Sequence, residues 1–291
     1  MRRSLNPAVQ RRRLRIELQR AREGVRLTQK EVAEEFGWSL SKIIRIENGQ
    51  VGVSKVDLNA LLRLYKILDG ETVQGLEEMA DDSRRHPWSR YRGILNPDFM
   101  SYLWSEGAAS FIRQFHPLLV PGLLQTDAYA LRLIRTLAPP STPDEVTEQQ
   151  AEVRRLRQEV FLREDPPGMA FVLDEAVIPR GLGNDPADRA TMSEQIGRLR
   201  ELNSRPNIDI RILPFGMGPH VGLQGPYVLL EFPDPEDLDV LYLENEPRSI
   251  TTSDSALGKK YRETFERMED ASLSAAETDR FLERAAAELA A

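Results

Sequence analysis

The chain of 291 residues contains no cysteine. That excludes disulfides, thiolate-bound zinc and a cysteine nucleophile, and it fits a reducing compartment. Histidine is scarce too. His86, His116 and His220 lie far apart with no HExxH-like spacing, so no metal site is expected. No apolar run approaches the ~18 residues that a membrane helix needs. The N-terminus is rich in arginine but lacks a following apolar stretch, so it does not read as a signal peptide. These absences lead us to expect a soluble, cytoplasmic protein without cofactor or metal.

Apolar residues make up 41% of the chain, enough for a real core, and the length favours two domains. The formal charge of −7 is unevenly spread. Residues 1–66 hold 15 Lys+Arg against 7 Asp+Glu, whereas the remainder holds 24 against 39. A basic module joined to an acidic one suits a protein that meets phosphates at one end only.

The most informative stretch is Thr28 to Gly49, TQKEVAEEFGWSLSKIIRIENG. With Gln29 as position 1 of a helix-turn-helix, Val32, Phe36, Ile43 and Ile46 fall at helical spacing and close a small core. Ala33 is small where two helices cross. Gly37 can adopt the left-handed conformation that a tight turn between crossed helices demands. Thr28 with Glu31 forms a capping box, Ser39 caps the second helix, and Asn48-Gly49 signals its end. Before the motif, Leu14, Leu18 and Ala21 line one face of a basic helix. After it, Ser54 caps a helix presenting Leu58, Leu61, Leu62, Tyr65 and Leu68. Five helices between about residues 8 and 80 make an all-α unit.

On the second helix of the motif, Ser39, Leu40, Ser41, Lys42 and Arg45 face away from the core. Arg45 and Lys42 can reach guanine O6/N7, Ser41 a base edge or a phosphate, and Leu40 a thymine methyl. Gln29 suits a phosphate contact at a helix N-terminus. Ile44 also leans outward and is left unassigned. Arg22 and Glu47 are expected to form a structural ion pair between helices. The bland reading of the outward residues is a solvated helix face.

Residues 69–93 are polar and broken by Gly and Pro, and they read as the domain junction, with a linker over 81–95 between units 1–80 and 96–291. The second domain reads as α+β, with helices over 98–113, 126–138, 144–164, 187–203, 255–270 and 274–290. Strands are expected at Ala170–Asp174, Ile208–Leu213, Tyr227–Phe232 and Val240–Leu243. The last three are separated by Pro/Gly-rich turns that suit hairpins of a small antiparallel sheet. Features that could suggest an enzyme are weak. The stretch Gly216–Gly225 lacks the Lys-Ser/Thr of a phosphate loop and precedes a strand, so it reads as a hairpin loop. Asp174-Glu175 at a strand end resemble solvated or capping carboxylates, and no nucleophile elbow is present.

Across roughly residues 8–70 the sequence resembles the lambda-repressor-like, XRE-type DNA-binding family. Further segments resemble the antitoxin-like C-terminal domain of actinobacterial WhiJ-like regulators: WSRY (88–91), EGAASFIRQF (106–115), LVPGLLQTDAYA (119–130), LRQE (156–159), LDEAVIPR (173–180), PNIDIRILPF (206–215) and GPYVLLEFP (225–233). NEPRSITTSDSALGKK, after LYLE (241–244), departs from that pattern. The resemblance implies a sequence-specific transcriptional regulator; from the helix-turn-helix itself we expect a homodimer with two recognition helices about 34 Å apart on a pseudopalindromic operator in double-stranded DNA. The resemblance also implies control through the C-terminal domain by a small partner protein encoded nearby. An antitoxin-like protein that mainly sequesters this partner, and a small-molecule-sensing regulator, remain as alternatives.

Overall fold

The computed structural model describes residues 7–47, 51–84, 87–91, 93–183, 185–233, 238–244 and 249–290. The chain divides into two compact units, Met1–Ala108 and Ala109–Ala291. The division lies downstream of the 81–95 stretch that composition marks as a linker. Residues 81–84 continue a helix, and the guanidinium of Arg11 stacks 3.6 Å over the ring of Trp104, which draws the segment after 96 into the first unit.

The first unit is all-α: α1 (Pro7–Gly24), α2 (Gln29–Glu35), α3 (Leu40–Glu47), α4 (Lys55–Leu64), α5 (Gly70–Arg84), a 3-10 turn at Pro87–Tyr91 and α6 (Pro97–Glu106). Leu14 and Leu18 of α1, Val32 of α2, Ile43 and Ile46 of α3, and Leu58, Leu61 and Leu62 of α4 are buried in one cluster. Each such side chain stabilises the fold by about 1.5–3 kcal/mol through burial.

Three of these helices end in the same way. At the close of α2, Trp38 N donates to Ala33 O at 2.8 Å and Gly37 N to Glu34 O at 3.2 Å, with Gly37 at φ +62°. This is a Schellman cap. The ends of α1 and α4 repeat it with Arg26 (φ +58°) and Lys66 (φ +61°) in the left-handed position. The α4 cap corrects one expectation. Leu68 does not join the core and is 75% exposed. The reversal at Lys66 breaks the helical phase, and Ile67 turns inward instead. The expected cap at Asn48-Gly49 lies outside the described residues.

Gly37 provides a clean test of the backbone argument. A Cβ added there meets nothing within 4 Å, so the cost of Gly37→Ala is purely conformational. We expect a loss of about 1 kcal/mol from placing a side chain in the left-handed region. A urea titration followed by tryptophan fluorescence should show the lower midpoint, and an unchanged midpoint would overturn the assignment.

The second unit is α+β: β1 (Phe111–His116), α7 (Asp127–Leu137), α8 (Asp144–Arg157), β2 (Gly168–Asp174), α9 (Val177–Arg180), α10 (Pro186–Asn203), β3 (Ile208–Leu213), β4 (Tyr227–Glu231), β5 (Val240–Leu243), β6 (Ile250–Thr252), α11 (Ser255–Ala271) and α12 (Ala275–Ala290). The six strands form one sheet in the order β3-β2-β1-β4-β5-β6. Pairings β1–β2 and β2–β3 are parallel; β1–β4, β4–β5 and β5–β6 are antiparallel.

The sheet is therefore mixed rather than antiparallel, which corrects the sequence reading. β3 and β4 are not neighbours, so residues 214–226 form a crossing connection and not a hairpin loop. The expected helix over 98–113 stops at Glu106, and its end belongs to β1, the strand at the junction of the parallel and antiparallel halves. Alternation sorts the two faces. Phe115, Val172, Leu229 and Leu241 pack beneath Phe265 and Met268 of α11. At the outer edge of β3, Ile210 N donates to Asn203 Oδ1 at 2.7 Å and Leu273 N donates to Ile212 O at 2.8 Å. These bonds occupy backbone groups that an open edge would leave available to another strand.

Candidate nucleic-acid interface

Helix α2 begins with the capping box read from the sequence. Glu31 N donates to Thr28 Oγ1 at 3.2 Å, and Thr28 N donates to Glu31 Oε2 at 2.7 Å. The Thr28 backbone N–H, and after it the Thr28 hydroxyl at 2.8 Å, donate to the charged carboxylate and hold the Glu31 carboxyl below the usual carboxylate range. Helix α3 begins with Lys42 N donating to Ser39 Oγ at 3.3 Å. The turn between the helices is braced by Phe36 against Trp38, with ring centroids 4.8 Å apart.

Under α3 lies a buried polar lock. Arg22 Nε donates to Glu47 Oε1 at 2.6 Å and Nη2 to Oε2 at 3.0 Å. The remaining arm, Nη1, donates to Leu27 O at 2.8 Å, and Gln29 Nε2 donates to Glu47 Oε2 at 2.8 Å. Helices α1, α2 and α3 thus meet on one carboxylate. The side chains of Arg22 and Glu47 are only 10% and 5% exposed. The bond to Glu47 holds the Arg22 proton more tightly than usual. Burial, then the nearby Glu47 charge, pushes the Tyr65 hydroxyl up.

The lock fixes how α3 presents its outer face. Ser39, Leu40, Ser41 and Arg45 are exposed, and Ile44 is partly buried. Leu40, 43% exposed, is an apolar side chain with no core role. Lys42 is placed differently from a free reading residue. Its Nζ lies 3.1 Å from Asp57 of α4 and 3.5 Å from the centre of the Trp38 ring. Gln29 likewise spends its amide N–H on Glu47. Asp57, which aims Lys42 together with Trp38, is not singled out by the sequence reading; a carboxylate near the start of the following helix is the available signal.

Among the described residues no helix is long and apolar enough to cross a membrane, and no group of three or more His, Asp or Glu is placed to hold a metal ion. His86 lies outside the described residues. Two family models match the sequence. One, described as a helix-turn-helix domain, covers residues 13–75. The other, described as a domain of unknown function (DUF5753), covers residues 99–284. No curated protein and no solved structure matches the chain.

Proposed function

Since the chain belongs to the DUF5753 family and carries an N-terminal helix-turn-helix domain, we propose that it is a sequence-specific transcriptional regulator that reads operator DNA through α3. The observation that carries this reading is the exposed row Ser39, Leu40, Ser41 and Arg45 on a helix locked from beneath by Arg22 and Glu47. Arg45 is assigned a guanine edge, Ser41 a base edge or phosphate, and Leu40 a thymine methyl. Ser39 and Gln29 flank the two helix N-termini, where backbone N–H groups suit phosphates.

Lys42 joins the interface by exchanging partners. Its ion pair with Asp57 is partly exposed, and pairs of that kind contribute about 0–1 kcal/mol. A DNA phosphate can replace the carboxylate at little cost. The Arg22–Glu47 pair is structural and does not touch DNA.

The regulator acts as a homodimer on a pseudopalindromic site, with its two recognition helices about 34 Å apart. Its XRE-type and WhiJ-like resemblance supports control of the acidic C-terminal unit by a small partner protein encoded nearby, in the cytoplasm. We expect Arg45→Ala to weaken binding to a site selected from random duplexes by about 1–3 kcal/mol and to relax sequence preference at one position. Fluorescence anisotropy on the selected site and its single-base variants measures both. Wild-type affinity and preference in the variant would sink the assignment of the reading face.

A further inference from the structure

Beyond the end of β2, helices α9, α10 and α12 border a cavity of about 610 Å³. All of its walls belong to the second unit. Its place follows from topology. β2 runs parallel to β1 and β3, and sheets of this kind bind ligands outside the carboxyl ends of their strands. Glu175, the first residue after β2, lines the cavity, and so do Ile178 and Arg180 of α9.

The floor is apolar. Ile178 and Met192 are 4% and 1% exposed. On α12, Thr278 and Leu282 are fully buried against the fold. Phe281, Ala285 and Leu289 continue that stripe into the cavity, where they are only partly buried. Helix α12 thus carries an apolar face longer than the surface it packs on.

The two long walls are pinned at both ends. Arg200 Nε and Nη2 donate to Asp279 at 2.7 and 3.1 Å, joining the end of α10 to the start of α12. Arg189 Nε and Nη2 donate to Leu289 O at 3.1 and 2.7 Å, joining the start of α10 to the end of α12. Held in this way, the helices do not close on the space between them, and the cavity is preorganised.

The rim is cationic. Three arginines, Arg180, Arg189 and Arg284, face two carboxylates, Glu175 and Glu288, an excess of one positive charge. The chain beyond residue 66 holds 24 Lys+Arg against 39 Asp+Glu, so this excess runs against its surroundings. Glu175 is engaged, its Oε2 accepting from Phe215 N at 2.7 Å, and Arg189 is tied to α12. Arg180 and Arg284 are exposed, and among the described residues neither guanidinium has a hydrogen-bond or ion-pair partner. Arg284 precedes Glu288 by four residues on α12, the less favourable order for pairing.

We propose that this cavity binds a small molecule with an apolar body and one oxyanion, a carboxylate or a phosphate. The body lies against Met192, Phe281 and Leu289. Arg180 and Arg284 hold the oxyanion, since a planar guanidinium fork matches either group bidentately. The volume is that of small-ligand sites, which span about 300–1,000 Å³. This site lies in the second unit and does not depend on the DNA-reading assignment.

Isothermal titration of the full chain with 2-naphthoate, 2-naphthyl phosphate and the uncharged 2-naphthalenemethanol tests the proposal. Saturable one-to-one binding of either anion, about tenfold or more tighter than the alcohol, supports it, and the anion that binds identifies the head group. The double variant Arg180→Ser with Arg284→Ser should lose about tenfold or more in anion affinity. Its melting temperature should stay at the wild-type value, since neither arginine has a partner to lose. Ala285→Phe, which fills the cavity, should weaken anion and alcohol alike, and serves if the first variant folds poorly. Arg45→Ala should keep wild-type anion affinity, which separates this site from an anion bound at α3. Absence of saturable binding by both anions, equal affinity for the alcohol, or wild-type affinity in both cavity variants would overturn the proposal.

Discussion

Glu47→Ala is expected to destabilise the first unit by about 3–5 kcal/mol, the usual cost of leaving one member of a buried ion pair alone. Removing the carboxylate deprives Arg22 of two charge-assisted bonds and Gln29 of one, at a point where three helices meet. Domain stabilities are only about 5–15 kcal/mol, so the variant sits near unfolding. Trp38, Trp88 and Trp104 all belong to the first unit, and the chain has no other tryptophan. Their fluorescence in urea therefore reports this unit alone. With a slope of about 1–3 kcal/mol per molar, the midpoint should fall by about 2 M. The double variant Arg22→Met with Glu47→Leu should recover most of the loss, since an apolar pair carries no desolvation penalty. If the single variant unfolds within 1 kcal/mol of wild type, the lock does not hold the helices.

Phe115→Ala should have an effect of the same size in the second unit. The ring is fully buried, its centre 6.0 Å from Tyr227 and 5.8 Å, edge-on, from the His220 ring. A Cβ on Gly222 would lie 2.5 Å from it, so that glycine exists to admit the ring. Neighbours packed this closely cannot collapse into the space left behind, and a Phe→Ala cavity costs about 3–5 kcal/mol. Hydrogen exchange should show lost protection across β1, β2 and β4, while the tryptophan transition of the first unit keeps its wild-type midpoint. Protection that stays at the wild-type level would place the centre of the sheet's core elsewhere.

The two units differ in how much of them the sequence discloses. In the first, nearly every determinant is local. Thr28 and Glu31 are three residues apart, Gly37 sits in its own turn, and Val32, Ile43 and Leu58 follow helical spacing. What escaped there is the phase break at Lys66, because a lysine gives no signal for the left-handed conformation. The engagement of Lys42 by Asp57 escaped too, since it joins side chains on separate helices. In the second unit the helices were legible and the sheet only in part. β1 was hidden because FIRQFH carries Arg113 and Gln114 in a central strand. Arg113 is accommodated by Glu231 on the paired strand β4, at 2.7 Å, which no local pattern announces. The parallel pairing of β2 with β3 had a readable cue that proximity of turns obscured: strand, helix, strand is the order of a crossover unit.

The position of β1 also sets a timetable for synthesis. Its two partners, β2 and β4, follow it by about fifty and about a hundred residues, and the last strand ends at Thr252. The helix-turn-helix, by contrast, closes on contacts between neighbours in the chain, and such topologies fold fastest. At ~5–20 residues per second, the ~140 residues between Ala108 and Thr252 take a ribosome roughly 7–30 s to add. For that interval a finished helix-turn-helix domain would hang from a nascent chain whose second unit is still without its sheet.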